Sequence, residues 1–254
     1  MLLPRIIPCL LLKNNGLVKT INFKNSKYIG DPINAVRIFN EKEVDELIVL
    51  DIDASVNNQE PNIDMISNLA SECCMPLCYG GGIKTISQIK MIIELGVEKI
   101  SLSSIVIENP GLIKEASKIV GNQSIVVTID VRKKGDNFIA FTHNGNIDTG
   151  FNAIDLIEKF QEDGAGEIVI NSIDDDGEMT GYNFDLINRI IKVISVPLTV
   201  IGGAGSIEDI KSLINSFGLI GASAGSLFIF KGIYKAVLIN YPNKEEKETI
   251  FLPM

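Results

Sequence analysis

The stretch Gly202–Ser226 reads GGAGSIEDIKSLINSFGLIGASAGS, and Gly80–Ser104 reads GGGIKTISQIKMIIELGVEKISLSS. The two stretches align when one is moved along the chain by 122 residues (202 − 80). Each has a glycine turn after an apolar run, then a helical pattern, a short strand and small hydroxyl residues. The identities pair Gly80 with Gly202, Gly81 with Gly203, Ile92 with Ile214, Gly96 with Gly218, Ser101 with Ser223 and Ser104 with Ser226. The chain therefore contains a repeat, half a chain apart.

The repeated glycine turns predict two phosphate-binding sites. A glycine turn after a strand exposes backbone N–H groups, and a helix that begins there adds the positive end of its dipole. We expect a first phosphate site at Gly82 and Ser104 and a second phosphate site at Gly203 and Ser226. Two such sites suggest a barrel with an internal repeat that binds a substrate with a phosphate at each end. The alternative is a pair of tight structural turns.

Strand and helix patterns alternate along the chain and predict a single (β/α)8 TIM barrel built from two half-barrel repeats. The near-continuously apolar runs that indicate strands buried on both faces lie at 6–12, 46–52, 75–79, 99–103, 124–130, 167–172, 197–201 and 219–223. Helical patterns lie near 32–43, 62–74, 85–95, 110–119, 152–163, 184–194, 206–216 and 226–238. The half-barrels are expected at about 1–122 and 123–245, with a carboxyl-terminal tail at 246–254. A doubly wound open sheet is the alternative, which two equal halves disfavour.

Length and composition agree with one barrel in the cytoplasm. The 254 residues are close to the ~250 typical of this fold. The net charge of −9 argues against nucleic-acid binding, and no apolar run reaches the ~18 residues of a membrane helix. The amino-terminal segment lacks the features of a signal peptide. The four cysteines show no zinc spacing and there is a single histidine, so we predict reduced thiols, no metal and no cofactor.

Two long loops follow the predicted first and fifth strands, at 13–31 and 131–150. Such loops usually serve the active face, because barrel active sites lie at the carboxyl ends of the strands. The first loop carries Lys19, which is either a solvated charge or a mobile ligand for phosphate. The second is predicted to be a hairpin with Phe138–Thr142 as its returning strand and His143 as a surface residue.

An ordered set of motifs resembles the HisF family, the cyclase subunit of imidazole glycerol phosphate synthase. The matching segments are Arg5-Ile-Ile-x-Cys9-Leu, Lys13, Val18-Lys19, Gly30-Asp31-Pro32, Asp45-Glu46-Leu47, Leu50-Asp51-Ile52, Gly80-Gly-Gly-Ile83, Glu108-Asn109-Pro110, Ile129-Asp130, Gly164-Ala-Gly-Glu167-Ile, Ser172-Ile-Asp174-x-Asp176-Gly177, Gly181-Tyr182 and Gly202-Gly-Ala-Gly205. The resemblance runs essentially from end to end. It implies a glutaminase subunit docked below the barrel, ammonia passing up through it, and a bisphosphate substrate at the top.

The resemblance also implies two catalytic aspartates, at the ends of strands one and five. Asp130 holds the strand-five position, but Leu11 holds the strand-one position. A leucine cannot carry a proton, so half of the acid–base pair is missing. We therefore interpret the chain as a divergent paralogue. Asn171 and Ile201 replace small hydroxyl residues, which makes the top of the site less polar.

Further roles follow from the same resemblance. The family's salt-bridged ring that gates the ammonia path corresponds here to Arg5, Glu46, Lys99 and Glu167, although such charges can simply serve stability. Glu98, beside the ring, is expected to face the glutaminase. The positions expected to contact phosphate or line the substrate site are Lys19, Asp51, Gly82, Ser103, Ser104, Asp176, Gly177, Gly203, Gly225 and Ser226. The run Asp174–Asp176 resembles a calcium loop only superficially, because no acid occupies the twelfth position.

These observations leave several functions open. The first is a synthase subunit that no longer makes imidazole and delivers ammonia elsewhere, as HisF-like paralogues are associated with doing for surface-polysaccharide sugars. The second is a working cyclase of histidine biosynthesis that uses Asp130 alone or with Asp51. The third is a phosphate-binding scaffold without chemistry. A related sugar isomerase fits less well, since it also needs the strand-one acid.

Overall fold

The computed structural model describes residues 3–251. Its strands are β1 (Arg5–Lys13), β2 (Gly16–Ile21), β3 (Lys24–Gly30), β4 (Leu47–Asp51), β5 (Leu77–Gly80), β6 (Lys99–Leu102), β7 (Ile125–Lys134), β8 (Asn137–Thr142), β9 (Ile147–Asn152), β10 (Glu167–Ser172), β11 (Leu198–Ile201), β12 (Gly221–Ala224), β13 (Phe230–Lys231) and β14 (Ala236–Val237). Its helices are α1 (Pro32–Glu41), α2 (Ile63–Glu72), α3 (Ile86–Glu94), α4 (Ser104–Glu108), α5 (Gly111–Val120), α6 (Ala153–Glu162), α7 (Phe184–Ile190), α8 (Ile207–Phe217), α9 (Ser226–Ile229) and α10 (Lys244–Phe251), with a 3-10 turn at Asn122–Ser124.

Eight of the described strands close into a parallel barrel, which confirms the predicted TIM fold. Their order around the barrel is β1, β4, β5, β6, β7, β10, β11 and β12, after which β12 pairs with β1. The two predicted half-barrels would adjoin where β6 pairs with β7 and where β12 pairs with β1. Within the second of them, β7 pairs with β10, which places Asp130 beside Asn171 in the register. Because the sheet closes on itself, the open doubly wound alternative is excluded.

The predicted strands and the first seven predicted helices are all present, within the usual shift of element ends. The repeat extends to the way two helices begin. Ser206 accepts a hydrogen bond from the backbone N–H of Asp209, whose carboxylate accepts from the backbone of Ser206. Thr85 and Gln88 form the same reciprocal cap at α3. Both α3 and α8 therefore start directly after a glycine turn, held by a capping box.

Both long loops are hairpins that extend a barrel strand toward the active face. After β1, strand β2 runs back antiparallel, with Leu11 opposite Val18, and β3 pairs with β2. After β7, strands β8 and β9 do the same, which confirms the second predicted hairpin. The first hairpin was not predicted, because the lysines of 13–31 interrupt the alternation of apolar and polar residues that indicates strands.

The predicted helix at 226–238 is wrong. Helix α9 stops at Ile229, and β13 then pairs antiparallel with β14. The reversal is made by Gly232 at φ +73°, a left-handed conformation that a continuing helix excludes. A further helix, α10, covers most of the predicted tail 246–254, of which residues 252–254 lie outside the described part of the chain, as do residues 1–2 of the first predicted half.

Side chains alternate between the two faces of the barrel wall. The outward residues pack against the helices in the main core, whereas a second cluster fills the barrel interior. The buried members of this interior cluster are Ile7, Cys9, Ile48, Cys78, Val126, Val169 and Ile201. Cys9 and Cys78 are buried free thiols on β1 and β5, as predicted. None of the described helices combines the length and the apolar character that crossing a bilayer requires.

Candidate active site

One pocket at the carboxyl ends of the barrel strands collects the predicted top-face residues. Besides Leu11, Asn171 and Ile201, it is lined by Lys19, Asp51, Gly82, Ser103, Ser104, Asp130, Asp176, Gly177, Gly203, Gly225 and Ser226. These residues come from loops after several different strands. The sequence reasoning therefore placed every member of the expected substrate site in the same cavity, although their individual roles stay predictions.

Glycine is required at the two turns because the backbone there comes close to neighbouring loops. Gly203 has φ +100°, and a Cβ at this position would overlap the carbonyl oxygen of Gly181. Gly82 has φ +71°, and a Cβ would lie 2.8 Å from the carbonyl oxygen of Gln59. At both turns the neighbouring loop leaves no space for a side chain, and the positive φ angle also favours glycine.

The hairpin that follows β7 borders the first expected phosphate site. Ser104 begins α4, and its Oγ accepts a hydrogen bond from the backbone N–H of His143 at 3.1 Å. His143 was predicted to be a surface residue of this hairpin, but it lines the pocket with its ring Nε2 3.9 Å from Glu108 Oε1. The sequence could have placed His143 in the pocket, because it directly follows the predicted returning strand Phe138–Thr142, which runs back toward the active face.

A buried lysine lies at the second expected phosphate site. Lys19 lies on β2, is 6% exposed, and donates a hydrogen bond from Nζ to the carbonyl oxygen of Cys9 at 2.6 Å. The same Nζ lies against the Cα of Gly225, next to Ser226. Burial lowers the pKa of the Lys19 ammonium. The alternative of a solvated loop charge is wrong, because the unpredicted hairpin holds the side chain inside the pocket. A role of Lys19 in binding phosphate stays a prediction.

Asp130 is the acid at the floor of the pocket. Burial raises the pKa of its carboxyl to about 7, a hydrogen bond from Asn171 opposes the rise, and the nearby charge of Asp176 adds to it. The Asn171 Nδ2 donates to Asp130 Oδ1 at 3.0 Å across the β7–β10 pairing. An acid with this pKa is distributed between its two protonation states near neutral pH, which suits proton transfer.

The opposite side of the pocket floor is apolar. Leu11 lies beside Leu50 in the register of β1 and β4, and both pack against the interior cluster. Ile201 lies beside Asn171 on the neighbouring strand. The carboxyl group that the resemblance implies at strand one is thus replaced by hydrocarbon, and Leu11 is a pocket residue rather than part of the outer core.

Two more carboxylates line the pocket wall. Asp176 accepts from Thr20 Oγ1 at 2.7 Å and from the backbone N–H of Phe23 at 3.3 Å, which ties the β2–β3 hairpin to the loop after β10. Asp51 accepts from the backbone of its own loop. Burial raises the pKa of both carboxyls, and their hydrogen bonds oppose the rise. Thr20 and Phe23 were missed, because no motif marks them.

The four ring residues at the amino ends of the strands form one connected ion cluster. Lys99 Nζ lies 2.8 Å from Glu46 Oε1 and 2.8 Å from Glu167 Oε2, and Arg5 Nη2 lies 2.7 Å from Glu167 Oε1. Arg5 also pairs with Glu46, which closes the cycle. Burial alone would lower the pKa of Arg5, but the two carboxylates raise it above its ordinary value. The cluster closes the bottom of the barrel interior.

Glu98 is exposed at the rim of this cluster. Its Oε2 accepts a hydrogen bond from the backbone N–H of Leu77 at 2.7 Å, so the carboxylate caps the amino end of β5. Elsewhere in residues 3–251, no three His, Cys, Asp or Glu side chains converge as a metal ion would need.

These features define a (β/α)8 barrel with a polar pocket at the carboxyl ends of its strands and an ion cluster at their amino ends. The chain belongs to the histidine biosynthesis protein family, which it matches over residues 5–235. It is 55% identical over 253 residues to a provisionally named imidazole glycerol phosphate synthase subunit HisF of Leptospira interrogans, covering 99% of this chain and 100% of that protein.

Two further relatives also carry HisF names, one at the same level of identity and one more distant. The chain is 55% identical over 250 residues to a provisionally named subunit hisF3 of Vibrio vulnificus, covering 98% and 96% of the two chains. Against the subunit HisF of Natranaerobius thermophilus it is 36% identical over 248 residues, covering 98% and 99%. Within the family, the chain is therefore a divergent HisF paralogue.

The raised pKa of Asp130 predicts a pH-dependent stability. The folded carboxyl, with a pKa of about 7, binds its proton more tightly than an unfolded aspartate. Its contribution is complete below about pH 4 and is lost as the pH rises through 7. We expect Asp130→Asn to remove this loss. The free energy of unfolding of the variant, relative to that of the wild type, should therefore be roughly 1–3 kcal/mol higher at pH 8 than at pH 5.

Urea unfolding at both pH values measures this difference. Asp174→Asn is the matched control, because the Asp174 side chain is half exposed. It should follow the wild-type pH dependence. Parallel curves for the wild type and Asp130→Asn would mean that Asp130 has an ordinary pKa.

The second phosphate site predicts the effect of Ser226→Ala. A hydrogen bond to a charged phosphate contributes about 1.5–3 kcal/mol, so the variant should bind the bisphosphate of the histidine pathway roughly ten-fold or more weakly. Calorimetry measures the affinity, and Ser212→Ala, on the exposed side of α8, is the control. An affinity equal to the wild type would remove Ser226 from the site.

Proposed function

We propose that this chain is a HisF-type subunit that receives ammonia from a glutaminase and passes it through the barrel, and that it no longer forms imidazole. The ammonia is used to amidate a sugar precursor of a surface polysaccharide. The glutaminase docks on the face where the strands begin, around Arg5, Glu46, Glu98, Lys99 and Glu167.

The observation that carries this proposal is that the pocket holds Asp130 at the end of β7 but Leu11, a side chain without a titrating proton, at the end of β1. Opening and closing a ring needs a proton donor and a proton acceptor in the same step. Asp130 has the pKa for either role, but Leu11, beside Leu50, holds the strand-one position where the resemblance implies the second acid. One acid cannot be both donor and acceptor at once, and a positioned acid–base group contributes about 10²–10⁴-fold to a rate.

The interior of the barrel supports an ammonia path. Above the ion cluster, the interior residues Ile7, Ile48, Val126 and Val169 are apolar, and Cys9 is a thiol kept neutral because burial raises its pKa to about 11. An uncharged molecule the size of ammonia loses little on entering such surroundings, whereas an ion would lose its hydration. The ion cluster acts as the gate, since its salt bridges must part to admit the molecule.

A working cyclase in histidine biosynthesis is the second candidate. It is favoured by the 36% identity to a HisF of Natranaerobius thermophilus over almost the whole chain and by the retained Asp130. In this case Asp51, whose pKa is raised by burial, would stand in for the missing acid.

The rate of imidazole formation separates the two candidates. Given ammonia and the histidine-pathway bisphosphate, the protein should bind the substrate but turn it over at least about a hundred-fold more slowly than a true cyclase. Leu11→Asp should recover part of the rate, because it restores a proton carrier at the end of β1. Steady-state kinetics and direct binding measure the two quantities.

Leu11→Asn is the matched control for this experiment, since it has the polarity and size of aspartate without a titrating proton. It should not recover the rate. Wild-type turnover at a true cyclase rate, or complementation of a histidine-requiring strain that lacks the enzyme, would favour the second candidate.

The docking face predicts a charge effect at Glu98. Glu98→Lys should slow association with the glutaminase and weaken the complex by a few-fold, more strongly at low salt, because an exposed ion pair contributes about 0.2–1 kcal/mol and is screened. Association kinetics by surface plasmon resonance measure the effect.

Glu98→Gln separates charge from structure, since its amide oxygen still accepts the N–H of Leu77. It should lose less affinity than Glu98→Lys. Salt-independent losses of equal size in both variants would place the glutaminase elsewhere.

A further inference from the structure

The hydroxyl group of Thr199 joins the ion cluster at the bottom of the barrel, although it carries no charge. Thr199 lies on β11 and is 0% exposed. Its Oγ1 donates a hydrogen bond to Glu167 Oε1 at 2.6 Å and accepts one from Arg5 Nη2 at 3.3 Å. Thr199 therefore bridges two charged side chains that also pair directly with each other. The ring that the resemblance implies has four members, so Thr199 is an addition to it.

A glycine on the next strand makes this contact possible. Thr199 is the register partner of Gly221 on β12, and Gly221 is in turn the register partner of Arg5 on β1. A Cβ at Gly221 would overlap the Oγ1 of Thr199. The φ angle of Gly221 is not positive, so the backbone conformation does not itself require glycine. The missing side chain lets Thr199 and Arg5 meet across this row of the barrel.

The two carboxylates of the cluster do not have the same number of donors. Glu46 accepts hydrogen bonds from Arg5 and Lys99. Glu167 accepts from the same two cations and, in addition, from Thr199. Because the Glu167 side chain is only 6% exposed, water does not readily replace a donor that is lost there. The hydroxyl of Thr199 thus helps to keep Glu167 in the closed arrangement.

We propose that Thr199 is a fifth member of the gate, a positioning residue whose hydroxyl holds Glu167 against Arg5 and so limits how often the cluster opens. This inference rests on the proposed gate and adds an uncharged residue to it. A hydroxyl can strengthen the closed cluster without changing its balance of two cations and two anions.

Two interior thiols report the opening of the gate in the whole chain, without a glutaminase. Cys78 lies in the barrel interior as the register partner of Lys99 and is absent from the pocket lining, whereas Cys9 lines the pocket. The small uncharged reagent methyl methanethiosulfonate should therefore reach Cys78 through the ion cluster and Cys9 from the pocket. Tandem mass spectrometry follows the modification of each thiol separately.

Thr199→Val keeps the shape of the side chain and removes its hydroxyl. It should speed the modification of Cys78 roughly ten-fold, the effect of one hydrogen bond to a charged group, and leave the rate at Cys9 unchanged. Thr199→Ser should restore the wild-type rate, and Thr199→Ala replaces Thr199→Val if that variant does not fold. Thr149→Val is the matched control and should keep the wild-type rate, since the Thr149 hydroxyl bonds to the carbonyl of Ala140 in the second hairpin.

Lys99→Met separates this inference from the gate on which it rests. If the ion cluster is the barrier, this variant should also speed the modification of Cys78. Acceleration by Lys99→Met but not by Thr199→Val, equal acceleration at Cys9 and Cys78, or no rescue by Thr199→Ser would overturn the role of Thr199 alone. No effect of Lys99→Met would overturn the gate together with this inference.

Discussion

Closure of the parallel barrel is the constraint on which the rest of the structure depends. Once β12 pairs with β1, every second side chain of each barrel strand must point inward. Along β1 this places Arg5, Ile7, Cys9 and Leu11 on one line, from the ion cluster at the bottom to the pocket at the top. The ion cluster, the apolar interior and the pocket are therefore successive positions on the same strands. A residue at one level can differ without moving the others, as Leu11 does at the pocket end of β1.

Buried carboxyl groups at the two ends of the barrel have pKa values shifted in opposite directions. At the bottom, Glu167 is buried but its pKa is lowered, because two cations offset the desolvation of the carboxylate. At the top, Asp130 receives only an amide donor, and burial raises its pKa instead. The pKa shifts of Arg5, Lys99 and Glu167 thus favour the ionised form of each, whereas the acid at the top can change its protonation state near neutral pH. The apolar interior of the barrel separates the ion cluster from Asp130.

The fold could be predicted from the sequence because parallel barrel strands are buried on both faces and appear as continuous apolar runs. The pocket residues could be placed because glycine turns and strand ends mark one face of such a barrel. What failed depended on contacts between distant segments. Lys19 was expected in a loop, as a solvated charge or as a mobile ligand for phosphate, but pairing of β2 with β1 places it on a strand and buries it. The apolar segment 226–238 has helical character, yet Gly232 reverses it and Phe230 packs under Lys27 of the other hairpin. The buried Oδ1 of Asn171 has no hydrogen-bond partner among the described residues, and no pattern in the sequence indicates this.

The pairing of the first and last barrel strands sets a condition on synthesis of the chain. The Ser223 hydroxyl bonds to the carbonyl of Ile7, and the Tyr241 hydroxyl bonds to the carbonyl of Ile6 at 2.8 Å. Until the ribosome has released these late residues, one edge of β1 keeps its backbone groups unpaired, and edges of this kind recruit other chains. Contacts so distant in sequence also form slowly. The nascent first half must therefore persist with an open sheet edge through most of translation, a period in which chaperones or rapid emergence of the second half decide whether it assembles or aggregates.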